Sequence, residues 1–110
     1  MPRRRTYSPQ ALDAARILGL QIAEGRRERR WTQAELSERA GVSVVTVRHA
    51  ERGEPTVAVG VMFELAALAG VALFGVSPGE LQGLVARERD RLALLPAHVY
   101  RRQVTIDDDF

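Results

Sequence analysis

With 110 residues, 45% of them hydrophobic and 27% charged, the chain has the make-up of one globular domain with room for a tail. No apolar run approaches the ~20 residues of a membrane-spanning helix; the start, Met1-Pro2-Arg3-Arg4-Arg5, lacks the apolar stretch of a secretory signal; and without cysteine there are no disulfides, thiolate zinc sites or cysteine nucleophile. A cytoplasmic protein whose front half meets a polyanion is expected: all 16 basic residues are arginines, residues 1–52 hold 11 of them against 6 acids, and residues 53–110 hold 5 against 8.

Residues 1–8 read as a flexible basic arm, either a solvated tail or a segment for a DNA minor groove. Ser8-Pro9 is a helix start, a hydroxyl cap followed by proline at the first helical position. Leu12, Ala15, Leu18, Ile22 and Arg26 then recur at helical steps, one face of a helix reaching about Arg30. Arg26 lies in that core-facing row, where a guanidinium must find a carboxylate or remain costly to bury. Thr32-Gln33-Ala34-Glu35 has the form of a capping box. Its short apolar row, Ala34, Leu36 and Ala40, ends at Gly41, which suits the positive φ of a helix stop. Ser43 caps a third helix from Val44 to Arg52, with Val47 and Ala50 inward, stopped by Gly53-Glu54-Pro55. The β-branched run Val44-Val45-Thr46-Val47 would also suit a strand. Cap signals at both ends favour the helix.

Thr56 is the expected cap of a fourth helix, about Val59 to Ala69, burying Met62, Leu65, Ala66 and Leu68. Val71 to Val76 reads as an apolar connector. Ser77-Pro78-Gly79-Glu80 repeats the capping-box and early-proline signals and opens a fifth helix to about Leu95, with Leu81, Leu84, Val85, Leu92 and Leu95 on one side. Pro96 breaks it. Val104-Thr105-Ile106 alternates like a short strand before Asp107-Asp108-Asp109-Phe110. No catalytic set is visible. His49 and His98 fall in different units, neither with a carboxylate at metal-ligand spacing. Ser8, Ser37, Ser43 and Ser77 read as caps or surface groups without a base or oxyanion arrangement. No enzyme activity, metal or cofactor is expected.

Two short helices joined by a tight glycine turn, the second capped by Ser43, form a helix-turn-helix. A helix fits the major groove with its N-terminal residues at base edges, while the preceding helix crosses the backbone. Free N–H groups at the helix starts near Thr32 and Ser43 suit phosphate oxygens. Arg26, Arg27, Arg29, Arg30, Arg39, Arg48 and Arg52 surround the unit. Short helix pairs also occur in purely structural bundles, so spacing and charge alone leave both readings open.

The stretch RRERRWTQAELSERAGVSVVTVRHAERGEPT closely resembles the helix-turn-helix of lambda-repressor-like (Xre-type) regulators, whose usual form is TQ-x-x-L-A-x-x-AGVS-x-x-T-V/I-x-x-x-E-x-G. The resemblance covers about residues 16–70 without gaps. It implies an all-α, compact five-helix fold that binds double-stranded operator DNA as a twofold-symmetric homodimer. Carried over by position, it places Gln33 on a phosphate, bracing the recognition helix. Ser43 opens that helix, Val44, Val45 and His49 face base edges, and Thr46, Arg48 and Arg52 lie near the DNA backbone. Glu51 falls at the acidic position that pairs with the arginine corresponding to Arg26. The departures are Ala50, where a larger aliphatic is usual, and two valines where polar base-readers are common. Val44 and Val45 suit thymine methyls but leave hydrogen-bond readout thin.

The ending LALLPAHVYRRQVTIDDDF resembles that of HipB-like antitoxins, small Xre-type proteins that accompany HipA-like kinases. The matching residues are Leu95, Pro96, Val99, Arg102, Asp107, Asp108, Asp109 and Phe110. An acidic segment tipped with an aromatic suits a partner's pocket, and Val104 to Ile106 could add a strand to a twofold mate or to the partner; a merely solvated end is the alternative. The expected organisation is therefore a basic arm over 1–8, a DNA-binding domain over 9–76, a C-terminal helix over 77–95 for dimer or partner contact, and an acidic tail over 96–110. The resemblances together imply a nucleoid-associated repressor acting as antitoxin to a HipA-like serine/threonine kinase. A solitary Xre-type regulator without a toxin and a pure protein-interaction module are the alternatives.

Overall fold

Ser8 opens the first helix through its own side chain, Oγ accepting the Ala11 amide at 3.1 Å with Pro9 in the first turn. In the computed structural model, which describes residues 6–99, this helix, α1, spans Pro9–Glu28. It is followed by α2 (Gln33–Ala40), α3 (Val44–Arg52), α4 (Val59–Leu68) and α5 (Leu81–Ala93), with 3-10 turns at Leu73–Gly75 and Pro78–Glu80. The five helices are the whole α-helical content of the described residues, which contain no strand, so the fold is all-α. The described residues form two units, one up to Pro78 and one from Gly79 onward. The basic arm through Arg5, the Val104–Ile106 strand and the acidic tail from Asp107 to Phe110 lie outside the described residues.

In the first unit, α1 packs across α3 and α4 while α2 packs against the same two helices. Ile22, Leu36, Val47, Ala50, Met62, Leu65 and Ala66 meet in one core, with Leu18, Trp31, Val57 and Leu73 around it. Fully burying Ile22, Leu36, Val47 and Leu65 stabilises the unit by about 1.5–3 kcal/mol each. Both inward residues of α3, Val47 and Ala50, are completely buried, and burial of that face overrides the strand propensity of its valines.

Gly19 has a geometric reason. An ideal Cβ on Gly19 of α1 would stand 2.5 Å from the Ala50 carbonyl oxygen and 2.7 Å from that of Glu51. One turn on, a Cβ on Gly53 would stand 2.5 Å from Arg16 Cα. At Gly19 and Gly53, α1 and the end of α3 therefore meet backbone against backbone.

Each of the first four helices closes with the same bond, an amide five positions on returning to the helix. The pairs are Trp31 to Arg26 at 3.1 Å, Val42 to Ser37 at 3.1 Å, Glu54 to His49 at 3.0 Å and Val71 to Ala66 at 2.9 Å. The residue before each donor is left-handed: Gly41, Gly53 and Gly70 in three cases, but Arg30 in the first, at φ 60°.

Several local expectations are corrected. On α2 the buried row is Leu36 and Ser37, with Ala40 half-buried and Ala34 exposed. Ser37 is therefore neither a cap nor a surface group; its hydroxyl donates to the Ala34 carbonyl at 2.6 Å, which lets it be buried. Thr56 does not cap α4, whose N-cap is Ala58 with no side-chain hydrogen bond. Residues Glu54–Val57 form a turn first, and packing of Met62, Leu65 and Ala66 sets where the helix begins. Leu68 is half-buried, and Ala69 just beyond it is buried instead. The Ser77-Pro78 signal opens a 3-10 turn, so α5 starts later, at Leu81 with Glu80 at its cap, and ends at Ala93. In the second unit α5 buries no residue: Leu81 and Leu84 are half-covered, while Val85, Leu92 and Leu95 stand exposed.

Candidate nucleic-acid interface

Helix α3 is fixed at both ends by its own sequence. Ser43 Oγ accepts the Thr46 amide at 3.1 Å and lies 3.0 Å from the Thr46 hydroxyl, while Gly53 closes the C-terminus. With Val47 and Ala50 turned into the core and Glu51 turned toward α1 and α2, the remaining positions face outward. Val45, Arg48 and Arg52 are exposed, and Val44, Thr46 and His49 are half-buried. None of Val44, Val45 and His49 belongs to the core. Arg52 Nη1 lies 3.6 Å from Glu54 Oε2, an exposed pair of little energetic weight. Arg48 makes no ion pair among the described residues.

Helix α2 begins with both halves of a capping box. Thr32 Oγ1 accepts the Glu35 amide at 3.0 Å, and Glu35 Oε1 accepts the Thr32 amide at 2.7 Å. Gln33, the first residue of α2, turns its carboxamide toward α3 and donates from Nε2 to Glu51 Oε1 at 3.0 Å.

Glu51 is held from the other side by Arg26. Arg26 Nε donates to Glu51 Oε2 at 2.6 Å and Nη2 donates to Oε1 at 3.0 Å, a bidentate pair whose side chains are 10% and 8% exposed. The third guanidinium nitrogen, Nη1, donates to the Trp31 carbonyl at 2.9 Å. The charged member of the α1 core row is thus satisfied on every nitrogen, and one carboxylate ties α1, α2 and α3 together. Nothing in the spacing marks the Gln33–Glu51 bond, since the partners are eighteen positions apart and belong to different helices.

Beside this network Trp31 carries a stack of cations. Arg39 lies over its ring at 4.1 Å and Arg29 at 5.8 Å, while Arg29 Nη1 also donates to the Ala69 carbonyl at 2.7 Å. Sequence spacing does not signal this arrangement either. On the other flank of α3, a shallow groove is lined by Thr46, His49, Thr56, Val57, Ala58 and Val61. The start of α4 opens there without a side-chain cap, leaving its first amides to other acceptors. Among the described residues no group of His, Asp and Glu could hold a metal ion, and no helix is long and apolar enough to cross a membrane. The tail positions Asp107, Asp108, Asp109 and Phe110 lie outside the described residues.

No curated protein and no solved structure gives a significant match to the chain. The helix-turn-helix family model matches residues 22–81, which takes in the end of α1, all of α2, α3 and α4, and the turns before α5. The outward second helix, its capped start and the match across more than half of the sequence lead to one conclusion: the chain belongs to the Xre-type, lambda-repressor-like helix-turn-helix family of DNA-binding transcription regulators.

Proposed function

We propose that the protein is a sequence-specific repressor that binds a palindromic operator as a homodimer and controls its own operon. The observation that carries this reading is the outward face of α3, flanked by arginines and braced at its inner edge by the Glu51 network. A helix with its side chains is about 10–12 Å across, a size the major groove admits. Val44, Val45 and His49 are the base-facing residues, with the valines on thymine methyls. Gln33, Ser43, Thr46, Arg48 and Arg52 serve the phosphates, and the uncapped start of α4 supports the same backbone. Helix α5 supports the dimer. It has 13 residues, carries Leu81, Leu84, Val85 and Leu92 and buries none of them, and an isolated helix of this length is marginal in water. A partner surface is what it needs.

DNA upstream of the protein's own gene is the natural probe. Affinity falls steeply between ~50 and 200 mM salt as phosphate contacts release counterions. A flat salt response removes the DNA-binding reading.

In the fuller proposal the protein is the antitoxin of a HipA-like serine/threonine kinase, with Asp107, Asp108, Asp109 and Phe110 contacting the kinase. The ending LALLPAHVYRRQVTIDDDF supports it. Kinase and antitoxin then repress together, because two linked dimers on DNA gain affinity from effective concentration. Deleting residues 97–110 abolishes capture of a kinase encoded beside it and leaves operator binding intact. Unchanged capture refutes a role for the tail, and the protein is then a solitary regulator.

A further inference from the structure

We infer that Glu51 is a positioning residue for DNA: it holds the Gln33 carboxamide in the one orientation that leaves an N–H free for a phosphate oxygen. The inference rests on the proposal that Gln33 meets DNA.

A carboxylate is an acceptor only, so the group of Gln33 that faces Glu51 must be its nitrogen. Gln33 Nε2 sits 3.0 Å from Glu51 Oε1. The amide nitrogen carries two hydrogens, and one is spent on Glu51; the second remains at the start of α2, beside amides that the helix leaves unpaired. Without the carboxylate, the carboxamide of Gln33 is free to rotate by half a turn and present its oxygen, which a phosphate repels.

Arg26 completes the device. A lone buried carboxylate close to a phosphate would oppose DNA and would also be costly to desolvate. Two guanidinium bonds, at 2.6 and 3.0 Å, cancel its charge while leaving Oε1 able to accept from Gln33 as well. The pair Arg26–Glu51 is thus more than a clamp between helices. It delivers an oriented neutral donor from α2, with the orientation set by α3.

A purely structural Glu51 and a positioning Glu51 differ in what they do to a second substitution. The full chain is titrated with a short mixed-sequence duplex at about 50 mM salt, where phosphate contacts dominate binding. In the native background Gln33→Ala lowers affinity about tenfold, the size of one hydrogen bond to a charged group. In the Glu51→Leu background, which leaves no acceptor at position 51, the same Gln33→Ala change has less than about a twofold effect, because nothing holds the donor in place. Glu51→Leu alone strands the Arg26 charge, so a second background, Arg26→Met with Glu51→Leu, replaces the pair by apolar groups and gives the same small effect. Thermal melts confirm that each variant is folded at the titration temperature.

A tenfold effect of Gln33→Ala in either altered background shows that Gln33 keeps its contact without Glu51, and overturns the inference alone. A native Gln33→Ala variant with unchanged affinity overturns the Gln33–phosphate contact and its positioning together. Failure of the native chain to bind the duplex refutes DNA binding itself.

Discussion

Gly19→Ala is expected to destabilise the protein, although helix propensity alone dictates the opposite sign. Inside a helix the exchange of glycine for alanine is worth about 1 kcal/mol in favour of the folded state. At Gly19 the added methyl would stand 2.5 Å from the Ala50 carbonyl oxygen and 2.9 Å from the Glu51 carbonyl carbon, both of them backbone atoms of α3. A flexible side chain could swing aside, but a helix backbone has to move as a body. Overpacking of this kind costs about 1–3 kcal/mol or more. With the upper figure the net loss is about 2 kcal/mol, or roughly 10 °C in melting temperature for a domain of this size. Gly60→Ala is the matched control. That position is in the first turn of α4 with nothing within 4 Å of an added Cβ, so the variant gains about 0.5–1 kcal/mol. Urea unfolding followed by circular dichroism reads both. A Gly19→Ala protein at least as stable as the parent would show that α1 and α3 need no close backbone approach there.

Arg26→Met leaves the Glu51 carboxylate buried and unpaired and costs about 3–5 kcal/mol in denaturant unfolding, whereas adding Glu51→Leu to it restores most of the loss. Thr32→Ala and Ser43→Ala each remove a side-chain cap and cost about 1 kcal/mol; Thr56→Ala, which caps nothing, stays within about 0.5 kcal/mol of the parent in the same assay. Arg30→Gly relieves the left-handed backbone at φ 60° and raises stability by about 0.5–1 kcal/mol, and a loss would mean the Arg30 side chain supports the fold. His49→Ala weakens the cognate operator by about 1–3 kcal/mol and leaves random DNA unaffected, whereas an equal loss on both in filter-binding titrations would move His49 to the phosphate backbone.

What could be read from the sequence was what local chemistry decides. Ser8, Thr32 and Ser43 cap their helices because the acceptor and the amide it serves are three positions apart, within reach of any chain that turns there. Arg26 was legible for a different reason: a charge in an apolar row demands a counter-charge, and Glu51 lies opposite it. Thr56 misled because the same hydroxyl signal can end in a turn; Pro55 and the Val57-to-Glu54 bond carry the chain past it before α4 begins. Ser37 misled because a hydroxyl can be buried once it bonds back to its own helix. Gly19 and the Gln33–Glu51 bond lay beyond local reading altogether, since each takes its meaning from a helix that arrives later in the chain. The family resemblance supplied the DNA-binding reading of the helix pair, which spacing and charge alone left open against a structural bundle.

The contact between α1 and α3 divides the labour within the recognition helix. Its inner side is seated against bare main chain and clasped through Glu51, and a drift of a few tenths of an ångström would be felt by the entire frame. On its outer side Val45 and Arg48 are exposed and Val44 and His49 half-buried, and none of the four belongs to the core. If those outer letters read DNA as proposed, exchanging the exposed Val45 and Arg48 retargets the protein while the chassis that aims them stays unaltered.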